Sequence, residues 1–273
     1  CDPQAYTAWL NMVVERYDGD GLDDMPGLKY PIRHWEIGNE PDMQSASHTL
    51  FQGNSEAYLN LLELSYISVK TADPDAVVLI AAPSKWAPEV VEYWEPILEG
   101  GSNFFDIGNM HSLQGSNDFH ASQYRGQLDG SDSSNKPFWI TEAGVFMGGK
   151  ALEQEELAKI TIPNYASAFA AGAQVVFRLS RGHDTGQVLE TYLLAARTFG
   201  DFSSATSLTE NVVQFDMPDG GIVFALWDDG TLPAGVTGKV KVITYKGEES
   251  FQDASVVVAQ VPMLVVVAPG SGN

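Results

Sequence analysis

Two glutamates stand close to the ends of predicted strands. Glu40 lies within the sequence WEIGNEPD at residues 35–42, and Glu142 lies within WITEAG at residues 139–144. When two carboxyl groups lie close together, each disfavours ionisation of the other, so one can stay protonated while its partner is charged. Such a pair can protonate a departing oxygen with one carboxylic acid and attack or shield a carbon with the other carboxylate, which is the chemistry of glycosidic bond hydrolysis.

The elements around these glutamates alternate between strands and helices. Apolar residues recur at spacings of three and four in five segments, which predicts helices at residues 5–17, 55–71, 88–98, 153–171 and 187–199. Short apolar runs between them predict strands at residues 32–37, 76–82, 104–110, 137–141 and 174–179. After the strand at residues 104–110, a polar stretch with weak helical character extends to about residue 130. Alternation of this kind indicates βαβ units and a parallel sheet, so the predicted class is α/β.

The pattern changes after about residue 203. Strands are predicted without intervening helices at residues 212–215, 222–227, 240–245, 255–258 and 263–268. Turn sequences such as PDGG separate them, which is typical of antiparallel hairpins. We therefore predict two domains, an α/β catalytic domain at residues 1–203 and a small β-sandwich-like domain at residues 204–273.

The strand spacing suggests how the two glutamates meet. Two βα repeats separate their strands, so the strand of Glu142 is the third after that of Glu40. In a closed eight-stranded barrel, this separation puts both side chains at one mouth, facing each other, where barrel enzymes build their sites. Carboxyl groups about 5 Å apart favour a covalent route with retained configuration.

The Asn-Glu-Pro sequence after a strand, followed by a glutamate on the third strand onward, resembles clan A of the glycoside hydrolases, in its xylosidase/iduronidase-like or cellulase-like branches. The resemblance covers roughly residues 5–200 and implies a (β/α)8 TIM-barrel. It also implies that Glu40 is the general acid/base, that Glu142 is the nucleophile and that Asn39 binds the 2-hydroxyl of the sugar.

The same resemblance implies that strands four to eight of the barrel are visible and that the first three are missing. We expect an earlier segment of a longer protein, or a partner chain in an oligomer, to complete the barrel. An open half-barrel would otherwise leave two sheet edges and much apolar surface exposed.

Further side chains are candidates for the sugar site. His111 ends the third predicted strand, and Trp86 follows the second, where its ring could stack on a sugar face. Leu113 stands where many clan members have an aromatic residue near the nucleophile. The last strand lacks the clan's usual tryptophan, and Arg178, Arg181 and His183 either contact substrate or are plain loop charges.

Charge restricts the partners. The 36 acidic residues exceed the 15 basic ones, and the formal net charge of −21 would repel nucleic acids and anionic membranes. A neutral carbohydrate feels no such repulsion, and the acidity suits a secreted or extracellular setting slightly better than the cytoplasm.

No cofactor and no metal are predicted. Cys1 is the single cysteine, so an internal disulfide is excluded, and the five histidines lack ligand spacing. The acidic loop at residues 18–24 is expected to be a solvated turn, with a structural calcium site as the alternative.

Two other functions stay open. One is a non-catalytic carbohydrate-binding or scaffold protein that has kept the barrel. The other is a different hydrolase on the same fold, which no nucleophile-elbow, P-loop or dinucleotide-binding motif supports.

Overall fold

The computed structural model describes residues 2–44, 51–113, 116–144, 153–179 and 186–270. The helices are α1 (Pro3–Tyr17), α2 (Ser55–Ala72), α3 (Pro88–Gly100), α4 (Ala121–Asp129), α5 (Gln154–Ala170) and α6 (Gln187–Phe199). The strands are β1 (His34–Ile37), β2 (Val77–Ile80), β3 (Gly108–Ser112), β4 (Phe138–Ala143), β5 (Ala173–Arg178), β6 (Ser204–Thr209), β7 (Val212–Asp216), β8 (Ile222–Leu226), β9 (Lys239–Thr244), β10 (Glu249–Asp253) and β11 (Met263–Val267). Within these ranges, every helix is too short or too polar to cross a membrane.

The first five strands follow one another as the alternating pattern predicts. Strand β1 pairs in parallel with β2, from His34 opposite Val77 to Ile37 opposite Ile80. A parallel bridge from Leu79 to residue 107 leads towards β3, and a second sheet has the order β3-β4-β5. The mixed α/β class with parallel strands is thus confirmed, while its closure into an eight-stranded barrel stays a prediction.

The chain divides into two compact units. The first comprises Cys1–His111 and Tyr124–Thr141, and the second comprises Ser112–Gln123 and Glu142–Asn273. Helices α5 and α6 belong to the second unit together with the strands from β6 onward. The domains predicted at residues 1–203 and 204–273 follow the change from alternating to consecutive strands, and they stay a prediction.

In the first unit, α1 and α2 both begin with a side-chain cap. The Asp2 carboxylate accepts a hydrogen bond from the backbone N–H of Gln4, and the Asn54 side chain accepts one from Ala57. Such caps satisfy backbone donors that have no partner within the helix. The apolar face of α2 is buried around Leu62, and this burial anchors the helix within the first unit.

The second unit contains a six-stranded antiparallel sheet in the order β10-β9-β11-β8-β7-β6. A buried cluster that includes Phe224, Leu226 and Val265 forms its apolar core. An aromatic group made of Phe169 (α5), Phe199 (α6), Phe202 and Phe215 (β7) packs the helices against this sheet.

The C-terminal strands differ from the predicted ones in several respects. The strand predicted at residues 255–258 is wrong: Ala254–Val256 is a 3-10 helix, which Asp253 caps by accepting from the Ser255 N–H. Strands β6 and β10 were not predicted, because their side chains are mostly exposed and polar and show no apolar run. In place of the two facing sheets of a sandwich, the described strands from β6 onward form one sheet.

Candidate active site

The loop after β1 carries the first predicted catalytic residue in an unusual backbone conformation. Glu40 has φ of 45°, and Gly38, just before it, has φ of 93°. Glycine adopts such angles freely, whereas a left-handed conformation in another residue costs about 1–3 kcal/mol and persists only where the surroundings hold it. Strain of this kind is concentrated at active sites and ligand clamps, so the contacts that hold Glu40 in place bear directly on its role.

Tyr58 on α2 ties this loop to the neighbouring strand. Its buried hydroxyl donates to the carbonyl of Ile37 at 2.8 Å and accepts from the N–H of Ala81 at 2.8 Å. Burial raises the pKa of Tyr58 well above its usual value, so the hydroxyl stays neutral and can donate. The end of β1, three residues before Glu40, and the residue that follows β2 are thereby joined through Tyr58.

The carboxylate of Glu40 is held by a histidine from β3. Nδ1 of His111 lies 2.8 Å from Oε1 of Glu40, with side-chain exposures of 2% and 13%, respectively. A hydrogen bond to a buried imidazole restricts where the Glu40 carboxyl group can lie, because the ring itself is held by the packing around β3. One partner of His111 is thus Glu40, and its predicted contact with substrate stays a prediction.

A network between β3 and β4 supports this side of the first unit. The Thr141 hydroxyl donates to Oδ1 of Asn109 at 3.0 Å, and the backbone N–H of Asn109 donates to the Tyr124 hydroxyl at 3.0 Å. Asn109 is fully buried, and its Nδ2 has no partner among the residues that the structure describes. Since Asn109 precedes His111 by two residues in β3, this network fixes the strand that presents His111.

Glu142 is the next-to-last residue of β4 and is half-buried. In the second unit, the residues that follow it are anchored on both sides. The Gly144 N–H donates to the Ser112 carbonyl, and the Leu179 N–H donates to the Ala143 carbonyl, both at 2.9 Å. Glu142 thus stands near the end of a paired strand, as predicted, while its pairing with Glu40 stays a prediction.

The remaining candidates differ in their surroundings. Asn39 is half-buried, and its side chain makes no hydrogen bond to another described residue. The ring of Trp86 packs edge-on against Tyr124 of α4, with centroids 6.1 Å apart and an interplanar angle of 71°. The guanidinium of Arg178 lies over the ring of Tyr192, 5.5 Å from its centroid. Arg181, His183 and Cys1 lie outside the described residues.

A serine–histidine contact was not predicted from the sequence. The buried hydroxyl of Ser112 lies 3.0 Å from Nδ1 of His120, and the backbone N–H of His120 donates to Asp118 at 3.0 Å. Burial lowers the pKa of His120, so the neutral imidazole is favoured. No local pattern marks this contact, because Ser112 ends β3 and His120 precedes α4.

The acidic loop largely satisfies its own backbone. Asp24 accepts from the N–H groups of Gly19 and Gly21, and Asp20 accepts from Leu22. Carboxylate oxygens of residues 15, 18 and 20 lie within 4.8 Å of one another. Burial, together with nearby carboxylates, raises the pKa of Asp18. The hydrogen bonds are those of a tight turn, and the calcium alternative stays untested.

Known proteins share this fold at low sequence identity. A glucosidase from Croceicoccus marinus has a TM-score of 0.63 and 15% identity, and the match covers 98% of this chain and 75% of that one. A family 39 glycoside hydrolase from Bacteroides cellulosilyticus has a TM-score of 0.61 and 16% identity over 97% and 62% of the two chains. A GH39 β-xylosidase from Caulobacter crescentus has a TM-score of 0.57 and 10% identity over 98% and 73%.

No protein-family model and no curated protein sequence matches the chain. The structural similarity nevertheless extends over nearly all of it. The chain shares its fold with the glycoside hydrolases named above, as expected from the resemblance to clan A.

Proposed function

We propose that the protein is a retaining glycoside hydrolase that cleaves β-glycosidic bonds of oligo- or polysaccharides by double displacement. Glu40 is the general acid/base and Glu142 the nucleophile. The acidic surface, with a net charge of −21, is compatible with a neutral carbohydrate and disfavours a polyanionic substrate.

The reaction follows from the two carboxyl groups. Glu40 donates its proton to the glycosidic oxygen while the Glu142 carboxylate attacks the anomeric carbon, which breaks the bond to the leaving group and forms a glycosyl ester. Glu40, now ionised, then takes a proton from water as the water attacks the same carbon and releases Glu142. In this proposal, Asn39 binds the 2-hydroxyl, and His111 and Trp86 contribute to the sugar site.

The observation that carries the proposal is the strained conformation of Glu40 together with its buried partner. A solvated glutamate in a turn needs neither a left-handed backbone nor a histidine at 2.8 Å. Both features restrict where the carboxyl group lies, and a general acid must be held within hydrogen-bond reach of the oxygen that it protonates. The glycoside hydrolase fold supports the same assignment.

The test is hydrolysis of a panel of aryl β-glycosides by wild type, Glu40→Ala and Glu142→Ala. We expect Glu142→Ala to lose nearly all activity and Glu40→Ala to lose about 10²–10⁴-fold with poor leaving groups. Glu36→Ala is a matched control, because Glu36 is an exposed glutamate of the adjoining strand β1. NMR of the first-formed sugar should show the β anomer, and equal activity of all four proteins would refute the assignment.

A non-catalytic carbohydrate-binding protein is the alternative. The observation in its favour is that β1 pairs only with β2 among the described strands, which leaves one edge of the parallel sheet without a neighbour. Such a protein would bind an oligosaccharide in a calorimetric titration, show no turnover and be unaffected by Glu142→Ala.

A further inference from the structure

We propose that Asp42 is a positioning residue that keeps Glu40 in its left-handed conformation by tying the loop after β1 to the loop after β2 and to α3. The inference concerns the same site and rests on the proposed function. It assigns a role to the last residue of the WEIGNEPD sequence, and all the contacts that carry it lie within the first compact unit.

The Asp42 carboxylate accepts hydrogen bonds from Ser84 in the loop after β2 and from Trp94 in α3. Oδ1 accepts from the indole N–H of Trp94 at 3.1 Å and from the backbone N–H of Ser84 at 3.1 Å. Oδ2 accepts from the same N–H at 3.2 Å and from the Ser84 hydroxyl. Residues 42, 84 and 94 come from three separate elements, so one carboxylate joins the two loops to a helix.

The donors around Asp42 are neutral and well fixed. Among the described residues, the ion pairs do not include Asp42, so hydrogen bonds rather than a cation stabilise its charge. Trp94 is buried, and its ring packs edge-on against Tyr58 with centroids 5.5 Å apart. Because Tyr58 itself holds the end of β1, the anchor of Asp42 and the anchor of the strand share one packed cluster.

The link from Asp42 to Glu40 is short and stiff. Both residues lie in one turn, in which the N–H of Met43 donates to the carbonyl of Glu40 at 2.9 Å. The residue between them is Pro41, whose ring fixes its φ angle. Tyr58 holds the chain before Glu40 at Ile37, and Asp42 holds it after. A residue with φ of 45° that is clamped on both sides cannot relax to a more favourable angle.

The dependence of the rate on the leaving group distinguishes a loss of the Asp42 hydrogen bonds that displaces Glu40 from one that only destabilises the fold. A displaced general acid slows only reactions that need a proton at the leaving oxygen. Glycosides with acidic phenols as leaving groups depart without that proton, whereas poor leaving groups require it. A variant that merely destabilises the fold lowers the amount of active protein equally for all substrates.

The experiment measures kcat/KM of the full chain for aryl β-glycosides of graded leaving-group pKa. The variants are Asp42→Asn, which turns one acceptor oxygen into a donor, and Ser84→Ala and Trp94→Phe, which each remove one donor. We expect Asp42→Asn to fall about tenfold to a hundredfold with poor leaving groups and less than about threefold with the best one. Ser84→Ala and Trp94→Phe should show the same trend more weakly, which keeps the inference testable if Asp42→Asn does not fold.

Asp73→Asn is the matched structural control. Asp73 is a buried carboxylate of the same unit that pairs with Arg33, remote in the sequence from the loop that carries Glu40. We expect this variant to lower the melting temperature without changing the leaving-group dependence. The inference is overturned if Asp42→Asn slows all substrates equally or none of them. If Glu40→Ala and Glu142→Ala retain full activity, it is the proposed function that fails instead.

Discussion

His111 and Glu40 are 71 residues apart in the chain, and Nδ1 of the first lies 2.8 Å from Oε1 of the second. This contact joins the third parallel strand to the loop after the first. It holds the carboxyl group that we assign as the general acid/base, and it gives the imidazole a part in orienting that group.

The first prediction concerns this contact. Replacing His111 by leucine removes the imidazole and leaves the largely buried carboxyl group of Glu40 without this hydrogen-bond partner. A buried polar group left without its partner costs about 1–3 kcal/mol, so we expect kcat/KM to fall roughly 5- to 150-fold. His111→Asn is the control, because its amide can donate from the position of Nδ1, and we expect it to stay within about tenfold of wild type. Equal losses in both variants would contradict an orienting role for the Nδ1 donor.

The second prediction concerns Gly38, whose φ of 93° is unfavourable for any residue with a Cβ. A Cβ there would meet only ordinary contacts, at 3.7 Å from Tyr58 and 3.8 Å from Ala81, so the effect of Gly38→Ala is backbone strain. We expect the free energy of unfolding to fall by about 1–3 kcal/mol and the hydrolytic rate to fall with it, as the loop shifts.

Gly21→Ala is a close control for that variant. Gly21 has φ of 97°, and a Cβ added there would meet nothing within 4 Å, so the backbone strain is similar. Gly21 lies in the acidic loop, away in sequence from both glutamates. Chemical denaturation should show similar destabilisation for the two variants, while only Gly38→Ala should lose activity per folded molecule.

The third prediction concerns the aromatic group of the second unit. Phe215 is fully buried, and its ring stacks on Phe199 with centroids 4.4 Å apart. Phe215→Ala should lower the free energy of unfolding by about 3–5 kcal/mol, because it removes buried apolar surface and leaves a cavity. Phe251→Ala, at a position that is 71% exposed, should change it by less than about 0.5 kcal/mol. Urea unfolding checks both values, and similar losses would disprove the packing role.

The fourth prediction concerns pH. Burial lowers the pKa of His120 below 6.5, so the unfolded chain binds a proton at a higher pH than the folded one. Stability contributed by neutral His120 is therefore present above about pH 6.5 and is lost as the pH falls from there to the lower pKa of the folded state. His120→Asn cannot titrate and should show a shallower loss of unfolding free energy across this window.

Ser112→Ala is the companion variant for that measurement. It removes the hydroxyl that contacts Nδ1 but leaves the imidazole buried, so we expect the pH dependence to persist. Urea midpoints between pH 5 and pH 8 compare the three proteins. If the urea midpoints of wild type and His120→Asn change with pH to the same extent, groups other than His120 cause the pH dependence.

Much of the α/β part could be predicted from sequence. Helix α6 has the predicted bounds, Gln187–Phe199, and β4 and β5 lie within one or two residues of their predictions. These elements have apolar spacing that is readable locally, because one face of each is buried. The positions of Glu40 and Glu142 close to strand ends follow from the same local signals.

The antiparallel strands were less readable. All five residues of β10 are exposed, and it is a strand because it pairs with β9, from Glu249 opposite Ile243 to Asp253 opposite Lys239. Pairing of this kind depends on the partner strand rather than on an apolar pattern in the strand itself, so the residues of β10 alone do not reveal it. At residues 255–258 a strand was predicted from an apolar run but is not formed. Instead, Ala254–Val256 is a 3-10 helix that the Asp253 side chain caps.

The sequence by itself determined which carboxyl groups stand close to strand ends and which elements carry them, since both depend on nearby residues. Only the tertiary structure decided what surrounds Glu40. His111, Tyr58 and Asp42 act on its loop through contacts that link three strands and two helices, and Glu40 takes φ of 45° because these contacts outweigh its local preference. Local propensity cannot specify such contacts, because they arise when separate elements pack together.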